Sequence, residues 1–505
     1  MDGRVWVIFT LWMVNSCFTL PVQIYLETPG KDDAQHRDQV ESSDMFQIFN
    51  NENAGGQQLI REGDIAVLPG RSAAKCAGNS CFWPKSSNGI VTIPYTISSA
   101  YSTANTATIV DAMQEYATLT CIRFEPRTAE TNYLQIQPGT GCWSYIGKIG
   151  GAQQISLTGS CMTIGAIQHE LHHALGFFHE QNRSDRDDYV TIMTQYISPG
   201  DMGNFIKIDT DNLGLEYDYL SLMHYPSIAF SNTSGKATII PKPDPNVPIG
   251  QRNGLSNLDL AKVNTLYQCG VCSSRYSTVT GTLVSSNDPS AYPNNASCVY
   301  LIRVPFDKVY LKFDAFDLQS STDCTSDYVK INDGGSVASP VLLNRACGTG
   351  KLPPFTSSGS VMLVEFKTDG STTASGFKAS FSTAQCGGSY LSSPGTMTSP
   401  NYPSNYTPGR DCTYIIMAPV GYKISLVCSD FHLENDVNCM YDYLSIFDGP
   451  DYYAKRIGSY CGSILFPPVR STGNSLLLQF HSDGGVQFAG FQVSYTFGFA
   501  TLPGH

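Results

Sequence analysis

Apolar and polar positions alternate with a period of two through most of the C-terminal half. The runs VYLKFDAF (309–316), DYVKIND (327–333) and SLLLQFHS (475–482) each put apolar side chains on one face, and Gly/Ser/Pro-rich turns divide them. This is strand patterning, and many short strands of this kind predict a sandwich of antiparallel sheets. The pattern also repeats. Cys272 and Cys386, Cys298 and Cys412, and Cys347 and Cys461 are each 114 positions apart, while Cys324 and Cys439 are 115 apart. The segment SSGSVMLVEFKTDGSTTASGFKASF (357–381) aligns at the same offset with STGNSLLLQFHSDGGVQFAGFQVSY (471–495). Two tandem modules of about 110 residues follow, each with four cysteines in order.

The N-terminal half is patterned differently. Arg4 precedes an apolar run at 5–14, too short to span a bilayer and suited to a secretory leader covering residues 1–20. Residues 21–71 are polar and irregular, with no apolar period. Further on stands HELHHALGFFHE at 169–180. His169 and His173 are four apart, so on a helix they share one face. Gly176 is the residue type that can end that helix in a left-handed conformation and let the chain bring His179 in. Three imidazoles leave a zinc position open, which is a catalytic layout. Glu170, next to the first histidine, is placed to act as general base. The spacing H-E-x-x-H-x-x-G-x-x-H is the metzincin signature. His172 faces another side of the helix and reads as structural or solvent-facing; His224 reads as outside the chemistry.

Composition narrows the classes. The 505 residues suggest three or four domains, and 42% hydrophobic content is enough for packed cores. A net charge of −12 without a Lys/Arg block argues against nucleic acid or anionic membrane as partner. Sixteen cysteines, one of them Cys17 in the leader, fit an oxidising compartment. Cys76 and Cys81 are close enough for a small local loop. The tail FGFATLPGH is not an anchor signal, and no later stretch has the apolar length of a membrane helix, so a secreted, soluble product without membrane anchor is expected.

The flanking residues carry a resemblance. HEQNRSDRDDYV (179–190), SLMHY (221–225), IPYTIS (93–98), MQEYATLTCIRF (113–124), GCWSYIG (141–147) and NTLYQC (264–269) resemble the astacin family of zinc endopeptidases. The resemblance implies an α+β metzincin protease domain over 72–270. It implies zinc on His169, His173 and His179, Glu170 as base, and Tyr225 as a catalytic residue and possible additional zinc ligand. Met223 would lie in the turn beneath the metal, and bridges would join Cys121 to Cys269 and Cys142 to Cys161. REGDIAV (61–67) resembles the family's inhibitory segment, so residues 21–71 would be a propeptide whose Asp64 reaches the zinc, Gly63 allowing close approach. A trypsin-like protease would cut between Arg71 and Ser72, with Arg61 the weaker choice, and the new N-terminus would pair with Glu180.

The two repeats, 272–384 and 386–498, resemble all-β CUB sandwiches. That implies the bridges Cys272–Cys298, Cys324–Cys347, Cys386–Cys412 and Cys439–Cys461, which leaves Cys428 over; its strand-like run reads as burying the thiol, with an intermolecular disulfide as the lesser alternative. It also implies a Ca²⁺ site at Glu434, Asp442 and Asp483; the first module has Gln319 in the Glu position and should bind more weakly. Asn232, Asn295 and Asn405 are better glycosylation acceptors than Asn182, which adjoins the site. With two CUB modules and a Cys76–Cys81 loop, the chain looks most like frog and bird hatching enzymes, with egg-envelope glycoproteins as the expected extracellular substrates. A tolloid-like processing protease is the alternative, disfavoured because no EGF-like cysteine cluster is visible. A silent CUB-based binding protein is disfavoured because each expected ligand and Glu170 are intact.

Overall fold

The computed structural model describes residues 60–67, 80–285 and 291–499. The expected leader (1–20), Arg71, Ser72 and Cys76 lie outside the described residues.

The described chain opens with a hairpin of two short strands, β1 (Ile60–Arg61) and β2 (Ile65–Ala66), turned at Glu62–Asp64. A sheet of order β4-β3-β5-β6 follows, built from β3 (Val91–Ile97), β4 (Ile122–Pro126), β5 (Tyr133–Gln137) and β6 (Ala152–Ser156), with every pairing parallel. Helix α1 (Thr103–Leu119) crosses between β3 and β4. Ser102 caps it by accepting the Asn105 N–H, and Ile109, Ala112, Met113, Tyr116 and Leu119 make its buried stripe. Helix α2 (Ile164–Ala174) carries the H-E-x-x-H run, capped by Thr163. Strands β7 (Val190–Ile192) and β8 (Ile239–Pro241) pair antiparallel, and α3 (Asn257–Leu266) closes this domain.

The C-terminal half is two sandwiches. The first packs a four-stranded sheet on a five-stranded one, using β9 (Cys272–Tyr276), β10 (Thr280–Val284), β11 (Ser297–Arg303), β12 (Lys308–Asp317), β13 (Tyr328–Asn332), β14 (Val341–Ala346), β15 (Phe355–Thr356), β16 (Val361–Lys367) and β17 (Gly376–Ala384). The second repeats the arrangement from β18 (Gly387–Tyr390) to β26 (Gly490–Phe499). Strand β12 and the strand Ser475–Ser482 coincide with runs expected from the alternation. One point differs from an all-antiparallel sandwich. The first strand of each module pairs parallel, β9 with β11 and β18 with the strand Arg410–Met417. Cys272 is the Cα partner of Cys298, so the disulfide staples the joined strands in that register.

Bridges join Cys121–Cys269, Cys142–Cys161, Cys272–Cys298, Cys324–Cys347, Cys386–Cys412 and Cys439–Cys461. Cys81 is also disulfide-bonded. Cys428 is a buried free thiol, and burial pushes its pKa up to about 11, which keeps it protonated and unreactive at neutral pH.

Candidate active site

Helix α2 is buried on nearly all sides and presents His169 and His173 with ring centroids 4.8 Å apart. The chain then turns at Gly176, whose φ is +113°. A Cβ there would lie 2.9 Å from the Phe82 ring, so conformation and space both require glycine. The turn delivers His179, whose ring is 4.8 Å from that of His173.

Each ring is oriented from behind. The Nδ1–H of His169 donates to the Leu222 carbonyl (2.9 Å), that of His173 to the Phe177 carbonyl (2.8 Å) and that of His179 to Glu62 Oε2 (3.0 Å). These bonds leave the three Nε2 atoms facing one another. Asp64 enters this space: Oδ2 is 3.0 Å from His169 Nε2, and Oδ1 is 3.3 Å from His173 Nε2 and 3.2 Å from His179 Nε2. Electron-rich atoms at such distances need positive charge among them. Burial opposes ionisation of Asp64, but the His179 charge and the three imidazole contacts hold its carboxyl well below the usual range. Against burial, Asp64 in turn pushes His179 up to about 9. All four side chains can bring a ligand atom within 4.8 Å of the others. For metal–ligand bonds of about 2.0 Å a tetrahedron has edges of about 3.3 Å, close to the observed spacings. Three nitrogens and a carboxylate oxygen therefore fit zinc.

Glu170 is fully buried, and neither carboxylate oxygen has a hydrogen-bond partner. Burial, reinforced by the Asp64 charge, raises its pKa well above the ordinary value. Tyr225 is buried with its ring 4.6 Å from that of His179, and its hydroxyl donates to the Glu62 carbonyl at 2.5 Å. Met223 is buried, and its carbonyl accepts the Glu180 N–H. Glu180 is bound on both oxygens: Oε1 accepts from Arg183 (3.2 Å) and the Asp218 N–H (2.8 Å), and Oε2 from Lys262 (2.5 Å).

Asp64 is the last residue of the hairpin turn, and the strand that follows it, β2, lies parallel against Ser144. Ser144 N–H donates to the Asp64 carbonyl (3.0 Å) and Ala66 N–H to the Ser144 carbonyl (2.8 Å). Beside it, Tyr145, Ile149, Phe178 and Ile206 line a mainly apolar cavity of about 380 Å³.

Several supporting residues carry no sequence signal of their own. Arg252 Nη1 donates to the carbonyls of Leu222 and His224, and Asp259 accepts from Ser221 and the Leu222 N–H, so two buried charges fix the 221–225 turn. Gln181 Oε1 accepts the Tyr225 N–H. His172 contacts the Tyr116 hydroxyl and stacks on Phe177, and His224 bonds to Tyr217 and the Tyr225 carbonyl, so both have structural partners. Asn182 is buried, whereas Asn232, Asn295 and Asn405 are exposed.

In the second module Glu434, Asp442 and Asp483 also bring oxygens within 4.8 Å of one another. Asp442 accepts from the Tyr406 hydroxyl and the Asp483 N–H, and Glu434 Oε2 is buried without a partner. This all-oxygen set suits Ca²⁺. In the first module Asp327 is held in the same way by Tyr292 and the Asp369 N–H, while the Gln319 amide donates to Ser371.

A metallopeptidase domain followed by two CUB sandwiches is the class that this fold and site define. Residues 79–268 match the model of the astacin peptidase family, and 272–381 and 386–495 each match the CUB domain. The embryonic protein UVS.2 of Xenopus laevis is 46% identical over 517 residues, covering 98% of this chain and all of that one. The astacin-like metalloendopeptidase of Gallus gallus is 46% identical over 403 residues, covering 76% of this chain and 98% of that one. The solved structure of high choriolytic enzyme 1 from Oryzias latipes, a hatching enzyme zinc-protease, is 53% identical, covers 39% of this chain and all of that one, and has a TM-score of 0.38. This chain belongs to the astacin family of metalloendopeptidases, whose metal is zinc.

Proposed function

We propose that this chain is a secreted zymogen, activated by a trypsin-like cut between Arg71 and Ser72, whose mature form digests egg-envelope glycoproteins at hatching. Its parts would be a leader (1–20), a propeptide (21–71), the protease domain (72–270) and two CUB modules (272–384 and 386–498). One observation carries the latency: the Asp64 carboxylate stands within 3.0–3.3 Å of three imidazole nitrogens, at the end of a turn whose following strand is bonded to Ser144. Among the described residues no helix is long and apolar enough to cross a membrane, which is compatible with secretion. The hatching role is supported by likeness along nearly the whole chain to a protein of Xenopus laevis named as embryonic.

In the active form His169, His173 and His179 hold the zinc. Zinc supplies Lewis acidity for the scissile carbonyl and lowers the pKa of water toward neutrality. Glu170 removes a proton from the attacking water and delivers it to the departing amine. Its burial next to His169 raises its proton affinity, which suits both halves of that transfer. A substrate strand takes the backbone of Ser144 that the 64–66 segment now uses, and Tyr225, released from the Glu62 carbonyl, can donate its hydroxyl to the developing oxyanion. Departure of the Asp64 segment therefore opens metal position, rim and tyrosine together.

The test is digestion of isolated egg envelope by the intact and the trypsin-treated chain, each with and without a zinc chelator. Digestion only by the treated, unchelated protein supports the reading. Peptidase activity on casein without envelope digestion would end the hatching role and leave the enzyme class standing.

A further inference from the structure

Glu115 on α1 is 3% exposed, yet the catalytic site does not use it. Its partners come from the first CUB module: Arg275 Nε lies 2.6 Å from Oε1 and Arg303 Nη2 lies 3.7 Å from Oε2. The Arg275 side chain is itself 6% exposed. Arg275 also donates from Nη2 to the Asn253 carbonyl (2.9 Å) and from its backbone N–H to Asn257 Oδ1 (2.6 Å). Around this clasp Val299, Leu301 and Leu363 of the module join the same buried apolar cluster as Leu119 and Val263 of the protease. Two domains joined by a linker move independently unless their interface is large and apolar. A shared core around a buried charge is the fixed case.

Both grips of Arg275 lead to the histidine helix. The residue after Glu115 is Tyr116, whose hydroxyl donates to the Gln168 carbonyl (3.0 Å) and meets His172 Nδ1 (3.1 Å). Those residues precede His169 and His173. The other grip, Asn253, lies between Arg252, which holds the 221–225 turn, and Leu255, whose N–H donates to Gln168 Oε1 (3.2 Å). Gln168 is thus held from two sides, and Arg275 braces both.

We infer that the first CUB module is a built-in partner of the catalytic domain: Arg275, docked on Glu115, holds α1 and the 252–255 loop and so positions the histidine helix. Arg275 and Glu115 are positioning residues, acting on the metal site through Tyr116 and Gln168. The inference rests on the peptidase reading for its kinetic readout alone.

The experiment uses the full chain after trypsin activation, with kcat and KM on a fluorogenic peptide and amide hydrogen exchange along α1. Arg275→Met leaves the buried Glu115 carboxylate with only Arg303, 3.7 Å away, so exchange in α1 should quicken and kcat fall about tenfold with KM within about twofold. The double variant Glu115→Leu/Arg275→Met leaves no buried charge stranded there and should recover kcat to within about threefold of the native chain. Arg275→Lys keeps the charge but not the fork of bonds, and should shift both readouts in the same direction by less. It decides the matter if Arg275→Met does not fold. Native kcat and exchange in Arg275→Lys and in any folded Arg275→Met would overturn the inference, as would a loss in Arg275→Met that Glu115→Leu does not relieve. An activated native chain without peptidase activity would count against the enzyme reading, and exchange in α1 would still test the docking.

Discussion

Asp64 Oδ2 lies 3.0 Å from Nε2 of His169, a residue 105 positions further along the chain. The pair couples a segment N-terminal to the protease core with the first histidine of the signature. The same carboxylate also faces His173 and His179, so in the proposed zymogen it would compete for the position a substrate needs.

Removing that carboxylate should therefore unlock the uncut chain. In Asp64→Ala, peptide hydrolysis without trypsin treatment should rise about tenfold or more over the uncut native chain, since the ligand that favours the closed state is lost. A fluorogenic peptide assay with Arg71→Ala in both proteins, to prevent cutting, measures it.

Replacing the buried base should separate chemistry from metal binding. Glu170→Gln should lower kcat of the activated enzyme by about 10²- to 10⁴-fold, the usual range for a general base, with zinc content unchanged. Metal analysis and kinetics on the same sample check both halves.

Gly176 carries the turn that brings in the third histidine. Gly176→Ala places a methyl against Phe82 at a positive φ and should cost about 1–3 kcal/mol of stability. Thermal unfolding gives the loss, and zinc retention should fall with it because His179 moves.

A pH effect is expected away from the metal. Burial, with the Asp259 charge adding to it, pushes Asp218 up from 3.8 to about 6. The folded state then binds more protons than the unfolded state between these values, so this contribution to stability is fully present below 3.8 and is lost as pH rises through 6. Asp218→Asn, whose Oδ1 can still accept the Leu220 N–H and whose Nδ2 can donate to the Ser256 hydroxyl oxygen instead of accepting from it, should flatten that slope and be more stable than the native chain at pH 7 by about 1 kcal/mol. Denaturant titrations at pH 4, 5, 6 and 7, as differences between the two proteins, test the sign.

The second CUB module should respond to calcium. Millimolar Ca²⁺ should raise its unfolding temperature, and Asp442→Asn should abolish the shift, because one of three carboxylates in the cluster is neutralised. Calorimetry on the full chain resolves it if the module melts as its own transition.

What the sequence displays depends on how local the physics is. The histidine spacing and the glycine after it are local, and so are the alternating runs that became β12 and its counterpart Ser475–Ser482. The parallel pairing of β9 with β11 is not local: the alternation marks a strand but carries neither its direction nor its neighbour. The roles of Arg252, Asp259 and Glu115 were likewise invisible. A buried charge is legible only when its partner is known, and Asp259 and Arg275 meet theirs across folds of the chain that no periodicity encodes. Glu62 illustrates the same point, as its carboxylate orients His179 although 117 positions separate the two.

X-ray absorption at the zinc edge on the uncut chain tests the central claim most directly. The account predicts one zinc per chain with three imidazole nitrogens and one carboxylate oxygen at about 2.0–2.2 Å, and loss of the carboxylate signal in Asp64→Ala with the three nitrogens retained. Absence of stoichiometric zinc, or a shell that Asp64→Ala leaves unchanged, would contradict it.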